Sequence, residues 1–405
     1  MTKKAVCFAL GGHIANQNIS FQKLRQLLPE YEFYGAINGF EAFNTRQVQN
    51  LNVGLFPSEF AGSIFGAGRF SLKNKDGSLN EERVEKAVEF FRKGNFDIAV
   101  GSGGDDHGVQ MSLLEKILRE NRGKIGRDVD VFVINKTMDN DLGGEKGITD
   151  FTNGFHTAAS VGINEFKNHF SGAWTNNCPY LIGLFGRETN WVGATVSYFG
   201  NADRFLYGEL PPEHQGHSIE RVHDLIVESQ DENEKKYGKR FAMITVAEGT
   251  RISGIEHEDS SIIDEHGHHK LNPEVLVVEL KRSLEERFKL KTQTLGITYE
   301  MRNSPPTIRD MKYGTLSAEV IAKAIRQGAS GYESVFKFQD DSVVANIAPI
   351  IEVSQKRYLE SYPKQVIDKE ALKVKEEIGR YYGPLFGKKQ ALESWLPSKP
   401  VVVQI

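Results

Sequence analysis

The sequence predicts an α/β fold built on parallel sheets, and three features indicate it. Short apolar runs that end in glycine or polar residues recur along the chain, as buried parallel strands do. Segments with the periodicity of amphipathic helices lie between several of these runs. Strands that alternate with helices are typical of parallel-sheet folds, which bind ligands at the carboxyl ends of their strands.

The predicted elements follow one another from the N-terminus. The strands are AVCFAL, FDIAVG, VDVFVI, YLIGLFG, FAMITVA and TLGITY, at residues 5–10, 96–101, 129–134, 180–186, 241–247 and 294–299. Residues 109–118 place their apolar side chains on one helical face. Residues 317–331 do the same and stop at a glycine, as helix ends often do.

Composition limits the class of protein. Hydrophobic residues make up 39% of the chain and charged residues 26%, which is ordinary for a globular protein in water. A net charge of −4 and the lack of a basic run interleaved with aromatics argue against a nucleic-acid partner. Two cysteines, Cys7 and Cys178, provide no disulfide framework. No apolar run approaches 18 residues, so we expect no signal peptide, no membrane span and a cytoplasmic location.

Two stretches, 228–239 and 255–270, are rich in charge. The second contains four histidines, so a zinc or nickel site is one interpretation; they are His257, His266, His268 and His269. Their spacing matches no tetrahedral ligand scheme, and no cysteine is close. We therefore favour a solvated surface loop.

Acidic side chains follow two successive predicted strands. Asp105 and Asp106 lie in the glycine-rich turn GSGGDDHGVQ, a type of turn whose N–H groups bind phosphate. Asp139 and Asp141 lie in NKTMDND after the next strand, where an Asx-rich helix cap is the alternative interpretation. The two turns are expected to be neighbours, and such crowded carboxylates are unfavourable without a cation. We therefore predict that Asp105 holds a polyphosphate through Mg²⁺.

These loops resemble those of the phosphofructokinase family, over most of residues 5 to 350. The family's motifs occur here in its own order, as GGDD (103–106), TMDND (137–141), FGR (185–187), AEG (247–249) and YEMR (299–302). The resemblance implies two Rossmann-like α/β domains with the active site in the cleft between them, in a homodimer or homotetramer. Residues 1–150 with about 301–350 would bind the phosphoryl donor, and residues 151–300 with about 351–405 the sugar phosphate.

The resemblance also implies roles for single residues. Asp139 resembles the general base that takes the proton of the sugar 1-hydroxyl, Asp105 the Mg²⁺ ligand, and Arg187 and Thr137 groups at the transferred phosphoryl. Donor contacts would come from Gly11, Gly12, Arg69, Gly104, Asp106 and Lys136. Sugar-phosphate contacts would come from Thr137, Asp139, Asp141, Phe185, Gly186, Arg187, Glu248, Lys291, Tyr299 and Arg302, with Arg309 a competitor of Arg302.

Two positions indicate which donor is used. ATP-using members of the family usually have glycine after GGD and glycine again before the threonine of the second loop, where this chain has Asp106 and Lys136. A carboxylate would repel the nucleotide's α-phosphate, whereas an ammonium would attract a small polyphosphate. The implied reaction is Mg²⁺-dependent, reversible phosphoryl transfer from pyrophosphate to the 1-hydroxyl of fructose 6-phosphate, giving fructose 1,6-bisphosphate and phosphate.

Departures from the family pattern leave alternatives open. The first glycine loop, LGGHIANQN (10–18), differs from GGxAPGxN, and Cys178 stands where a sugar-phosphate arginine of a neighbouring subunit often lies. The alternatives are an ATP-dependent 6-phosphofructokinase, a pyrophosphate-dependent kinase of another phosphosugar such as sedoheptulose 7-phosphate, a NAD or lipid kinase, and a non-catalytic regulatory subunit. The last is disfavoured because Asp105, Lys136, Asp139 and Arg187 are all present. Residues 355–405 are assigned no function.

Overall fold

The computed structural model describes residues 2–396 except 13, 15, 53–58, 187–188, 209–215, 256–257, 264–268, 341 and 360–365, with the backbone alone for 258–263 and 269–270. Its strands are β1 (Lys3–Ala9), β2 (Tyr31–Ala36), β3 (Val48–Asn50), β4 (Ile98–Gly103), β5 (Asp130–Asn135), β6 (Pro179–Leu184), β7 (Arg204–Leu206), β8 (Ala242–Ala247), β9 (Glu258–Ile263), β10 (His269–Leu271), β11 (Gln293–Ile297), β12 (Tyr332–Gln339), β13 (Ser342–Pro349), β14 (Ile367–Asp368) and β15 (Lys373–Val374).

Helices connect most of these strands. They are α1 (Gln17–Leu27), α2 (Ala42–Thr45), α3 (Glu81–Gly94), α4 (Asp105–Glu120), α5 (Arg122–Ile125), α6 (Phe155–Asn176), α7 (Trp191–Gly200), α8 (Ile219–Tyr237), α9 (Pro273–Phe288), α10 (Tyr299–Asn303), α11 (Ile308–Arg326), α12 (Ile350–Val353) and α13 (Glu376–Phe386). Single 3₁₀ turns occur at Gly39–Glu41 and Leu392–Ser394. No helix in the described part of the chain combines the length and the apolarity that crossing a membrane requires.

The six predicted strands and both predicted helices are confirmed. The strands correspond to β1, β4, β5, β6, β8 and β11, and the helices to α4 and α11. The second helix begins earlier than predicted because the side chain of Thr307 accepts a hydrogen bond from the Asp310 N–H and caps it. It also ends earlier than predicted, at Arg326 rather than at Gly331, and Gly328 with φ +69° follows its end.

The charge-rich stretches have regular structure. Residues 228–237 form the end of α8, which buries Ser229, Gln230 and Asn233. The loop prediction for 255–270 is wrong for 258–263 and 269–270, which belong to strands β9 and β10 of a two-stranded sheet. Three of the four histidines there (257, 266 and 268) lie outside the described residues. Within the described residues, no three His, Cys, Asp or Glu side chains group closely enough to hold one metal ion.

The chain divides into two compact units. The first contains residues 1–158, 260–270 and 299–362, and the second contains 159–259, 271–298 and 363–405. Residues 151–158, 260–270 and 351–359 therefore belong with the first unit, although the sequence analysis placed them in the second domain. Arg357 explains the last of these differences, because it is fully buried and donates hydrogen bonds to carbonyls of residues 140–150.

The first unit is built on a seven-stranded sheet in the order β13-β12-β5-β4-β1-β2-β3. The five central strands are parallel, and β13 and β3 pair antiparallel at the two edges. Alternate residues of β1 enter two different cores, as the period of a strand requires. Val6 and Phe8 pack among residues of α3 and α4, whereas Ala5 and Cys7 pack among residues of α1 and α11.

The second unit is built on a four-stranded parallel sheet in the order β11-β6-β8-β7. Its central strands are mostly apolar and are buried except at Tyr180, as expected for strands covered on both faces. Trp191 of α7 is fully buried and meets Tyr382 of α13 edge to face, with ring centroids 6.0 Å apart. Residues near the C-terminus thus complete the core of this unit.

Glu333 of β12 makes the stability of the first unit depend on pH. Its side chain is buried, neither carboxyl oxygen has a hydrogen-bond partner among the described residues, and burial raises its pKa well above the usual value. Because the folded-state pKa is the higher one, its stabilising contribution is full below the unfolded pKa of about 4.3 and falls as pH rises towards the folded value.

We therefore expect Glu333→Gln to gain stability relative to the wild type as pH increases from 5 to 8. The gain should grow steadily with pH, because only the wild type has to keep this buried carboxyl protonated or ionise it without a partner. Urea unfolding at each pH measures it. The exposed Glu120→Gln on α4 is the control, and an identical pH dependence in wild type and Glu333→Gln would contradict the interpretation.

Candidate functional site

The two carboxylate loops lie side by side at the carboxyl edge of the first unit's sheet. Strands β4 and β5 pair in parallel with Gly103 opposite Asn135, so Gly104 and Lys136 each begin a loop at this edge. A Cβ built on Gly104 would lie 3.4 Å from the Cβ of Thr137. The predicted neighbourhood of the two loops is therefore confirmed.

The first loop leads directly into helix α4. Asp105 and Asp106 occupy its first turn, where the N-terminal end of the helix dipole stabilises acidic side chains. Both are half-buried. An oxygen of Asp105 lies 3.5 Å from Nζ of Lys356.

Two hydrogen bonds to Thr137 hold the second loop in its conformation. The Asp139 N–H donates to Oγ1 of Thr137 at 3.1 Å, and the Thr152 hydroxyl donates to the Thr137 carbonyl at 2.6 Å. Asn140 adopts the left-handed region at φ 58°, which asparagine tolerates better than most residues. This geometry leaves the Asp139 carboxylate half-buried at the sheet edge.

Asp141 shows that the loops concentrate negative charge. It is buried, and its Oδ1 has no hydrogen-bond partner among the described residues. Burial, and then the charges of Asp105 and Asp139, raise its pKa well above the usual value, with the charge of Lys356 acting in the opposite direction. Mg²⁺ commonly takes one or two carboxylates and completes its coordination with water and substrate phosphates, so these residues fit that ion.

Cations surround the glycine loop beside these carboxylates. Lys136 is buried, and its Nζ donates to the carbonyls of Leu10, at 3.1 Å, and Gly12. Its pKa is lowered to about 7, first by burial and then by the charge of Arg302, with Arg69 adding to the effect and Asp139 opposing it. Arg69 and Arg302 with the protonated form of Lys136 make an electrostatic site for a polyanion, and the charge of a bound anion would favour that protonated form.

Two glycines keep this loop free of side chains. Gly11 has φ +77°, and a Cβ on it would lie 2.7 Å from the ring of His107. A Cβ on Gly12 would collide with Nη1 of Arg302. Arg302 therefore lies with the residues predicted to bind the donor. Its predicted contact with the sugar phosphate stays a prediction, as does that of Tyr299, which is exposed on the same unit.

The second unit brings together some of the other predicted residues. Phe185 and Gly186 follow β6, Glu248 follows β8, and the Gly186 N–H donates to Oε1 of the buried Glu248 at 3.4 Å. Lys291 precedes β11, which runs parallel to β6, so it lies at the amino edge of this sheet and apart from them. Arg187, which would follow Gly186, lies outside the described residues.

The sequence analysis missed two residues of this site. Arg357 donates to the carbonyl of Asn140 at 2.9 Å and to those of Thr149 and Asp150 at 3.0 and 3.1 Å. These bonds join the second loop to residues 149–150. Lys356 contacts Asp105. Both lie in the stretch given no function, and the adjacent basic pair was the only signal in the sequence.

Comparison with known proteins agrees with this geometry. The family profile described as Phosphofructokinase matches residues 9–325. A pyrophosphate–fructose 6-phosphate 1-phosphotransferase of Dictyoglomus thermophilum is 27% identical over 67% of this chain and 70% of its own length. An ATP-dependent 6-phosphofructokinase of Spirochaeta thermophila is 25% identical over 70% of this chain and 69% of its own.

Solved structures agree on the fold. The crystal structure of a pyrophosphate-dependent phosphofructokinase from Marinobacter aquaeolei matches with a TM-score of 0.73 at 16% identity, over 100% of this chain and 98% of that one. The family profile spans more than three quarters of the chain, and the two loops lie at the carboxyl ends of parallel strands, where open α/β sheets bind ligands. The chain belongs to the phosphofructokinase family and is a kinase of that family.

Proposed function

We propose that this kinase transfers a phosphoryl group from inorganic pyrophosphate, with Mg²⁺, to the 1-hydroxyl of fructose 6-phosphate. The supporting observation is Lys136, whose buried ammonium bonds to the glycine loop beside Arg69 and Arg302. ATP-using members of the family usually have glycine here. The names of similar proteins include both donors, so the proposal rests on this residue and on Asp106.

In this proposal the glycine loop and its cations bind the pyrophosphate. Arg69 and Lys136 neutralise the charge on its oxygens, and the open backbone at Gly11 and Gly12 lets it approach closely. Asp105 would hold Mg²⁺, which shields charge between the donor oxygens. Asp139 takes the proton of the attacking hydroxyl as general base.

The contacts with the acceptor sugar are also part of this proposal. Glu248 would hydrogen-bond sugar hydroxyls, with its carboxylate already oriented by the Gly186 N–H. Phosphorylation of sedoheptulose 7-phosphate would use the same loops, so both sugars belong in one assay panel.

The test is a donor and acceptor panel with the purified chain and Mg²⁺. We expect fructose 6-phosphate to be converted to the bisphosphate with pyrophosphate and only slightly with ATP. A coupled assay that oxidises NADH measures the product. The reverse reaction should run with fructose 1,6-bisphosphate and phosphate. Turnover with ATP and none with pyrophosphate would overturn the proposal.

The donor preference predicts the behaviour of a double variant, Asp106→Gly with Lys136→Gly. Loss of the ammonium should lower kcat/KM for pyrophosphate by about 10- to 100-fold, as expected for a charge-assisted hydrogen bond of about 1.5–3 kcal/mol. Loss of the carboxylate should give measurable ATP use. Steady-state rates with each donor measure both effects.

A double variant at exposed positions, Lys124→Gly with Asp128→Gly, controls for the general effect of introducing two glycines. If Asp106→Gly with Lys136→Gly keeps its pyrophosphate activity and gains none with ATP, these two side chains do not select the donor.

A further inference from the structure

Residues 353–357 are tied to the second carboxylate loop on both sides of Lys356. The N–H groups of Gly143 and Gly144 donate to the carbonyls of Val353 and Gln355, each at 2.8 Å. The Arg357 N–H donates to the carbonyl of Asp141 at 2.7 Å. Together with the buried guanidinium of Arg357, these bonds fix the backbone of Lys356 relative to Asp141.

The Lys356 side chain extends from this fixed backbone to the carboxylates. Its Nζ lies 3.5 Å from Oδ2 of Asp105, and both side chains keep some exposure, 29% and 19%. Its charge also acts on Asp141. Lys356 therefore reaches the same edge of the sheet as Asp105 and Asp141, from a part of the chain more than 200 residues later.

The ion pair between Lys356 and Asp105 is weak enough for Lys356 to change its partner. Partly exposed pairs of lysine and carboxylate contribute only about 0–1 kcal/mol, and a phosphate group offers an ammonium more negative charge than a carboxylate and three strong acceptor oxygens. A lysine side chain is flexible and carries three donors. A phosphate group held at Asp105 would therefore be a better partner for Lys356 than Asp105 itself.

We propose that Lys356 is a donor-binding residue, whose ammonium leaves Asp105 and binds a phosphate oxygen of the pyrophosphate. The inference rests on the proposed function and adds a binding residue to the same site. It assigns to the C-terminal part of the first unit a direct contact with substrate, in addition to the structural role of Arg357.

The test compares Lys356→Met and Lys356→Arg with the wild type. Binding of methylenediphosphonate, a pyrophosphate analogue that cannot transfer its phosphoryl group, is measured by calorimetry with Mg²⁺ present. We expect Lys356→Met to weaken this binding and to raise KM for pyrophosphate by about 10- to 100-fold. Lys356→Arg should restore most of both, while KM for fructose 6-phosphate stays within about threefold in either variant.

Lys23→Met is the matched control, because Lys23 forms a comparable partly exposed ion pair, with Glu319 at 3.9 Å. It should bind the analogue as the wild type does. Unchanged analogue binding in Lys356→Met, or a fall in kcat alone, would overturn the inference. Wild-type protein that uses only ATP would instead overturn the proposed donor, so the two failures are distinguishable.

Discussion

Replacing Asp139 by asparagine is expected to lower kcat by about 10²- to 10⁴-fold, the usual contribution of a general base. Asparagine has nearly the same shape but cannot accept the hydroxyl proton. The loop should keep its conformation, because the Asp139 N–H on Thr137 and the Thr152 hydroxyl hold it, and an asparagine Oδ1 can still accept the long 3.5 Å bond from the Thr137 hydroxyl. Steady-state kinetics with saturating donor and acceptor measure the effect.

Binding provides the control for this variant. Fructose 6-phosphate affinity, measured by calorimetry, should change by no more than about threefold, as expected when an interaction is made only in the transition state. Glu145→Gln, an exposed carboxylate a few residues later, should leave kcat unchanged. An Asp139→Asn enzyme that keeps a tenth or more of the wild-type kcat would remove Asp139 from the role of base.

Replacing Arg357 by methionine is expected to give the largest loss of stability. The variant leaves the carbonyls of Asn140, Thr149 and Asp150 without the donors that they have in the wild type, deep in the first unit. Leaving a buried hydrogen-bonding group unsatisfied typically costs about 1–3 kcal/mol, and three carbonyls lose a donor here. The free energy of unfolding in urea measures this loss.

Activity should fall with stability in this variant, because the carbonyl of Asn140 belongs to the loop that carries Asp139. Arg357→Lys should recover only part of the loss, since one ammonium cannot span three carbonyls as the guanidinium does. The exposed Arg122→Met should cost less than about 1 kcal/mol, as for other surface pairs. Equal stability of Arg357→Met and Arg122→Met would contradict this account of the buried arginine.

The sequence predicts the parts of this molecule that depend on neighbours along the chain. The central strands could be recognised because each is a short buried apolar run, and the site loops because they follow those strands directly. Edge strands such as β13 were missed because their residues alternate between exposed and half-buried, so they form no continuous apolar run.

Residues whose partners are distant in the chain could not be predicted in this way. Arg357 bonds to carbonyls more than 200 residues earlier, and a backbone carbonyl leaves no signature in the sequence. Arg302 was recognised, but only the fold places it beside Gly12 and Lys136. Lys291 matched a family position in sequence order, and strand direction places it at the other edge of its sheet.

The position of Arg357 in the chain also determines when the acidic loop can be stabilised during translation. A ribosome releases the loop of Asp139 long before it releases the residues that anchor that loop, and the same holds for β12, the strand that pairs with β5. A nascent chain that stops before residue 357 therefore has the acidic loop without its support. Phosphoryl transfer should begin only after the ribosome has released residue 357.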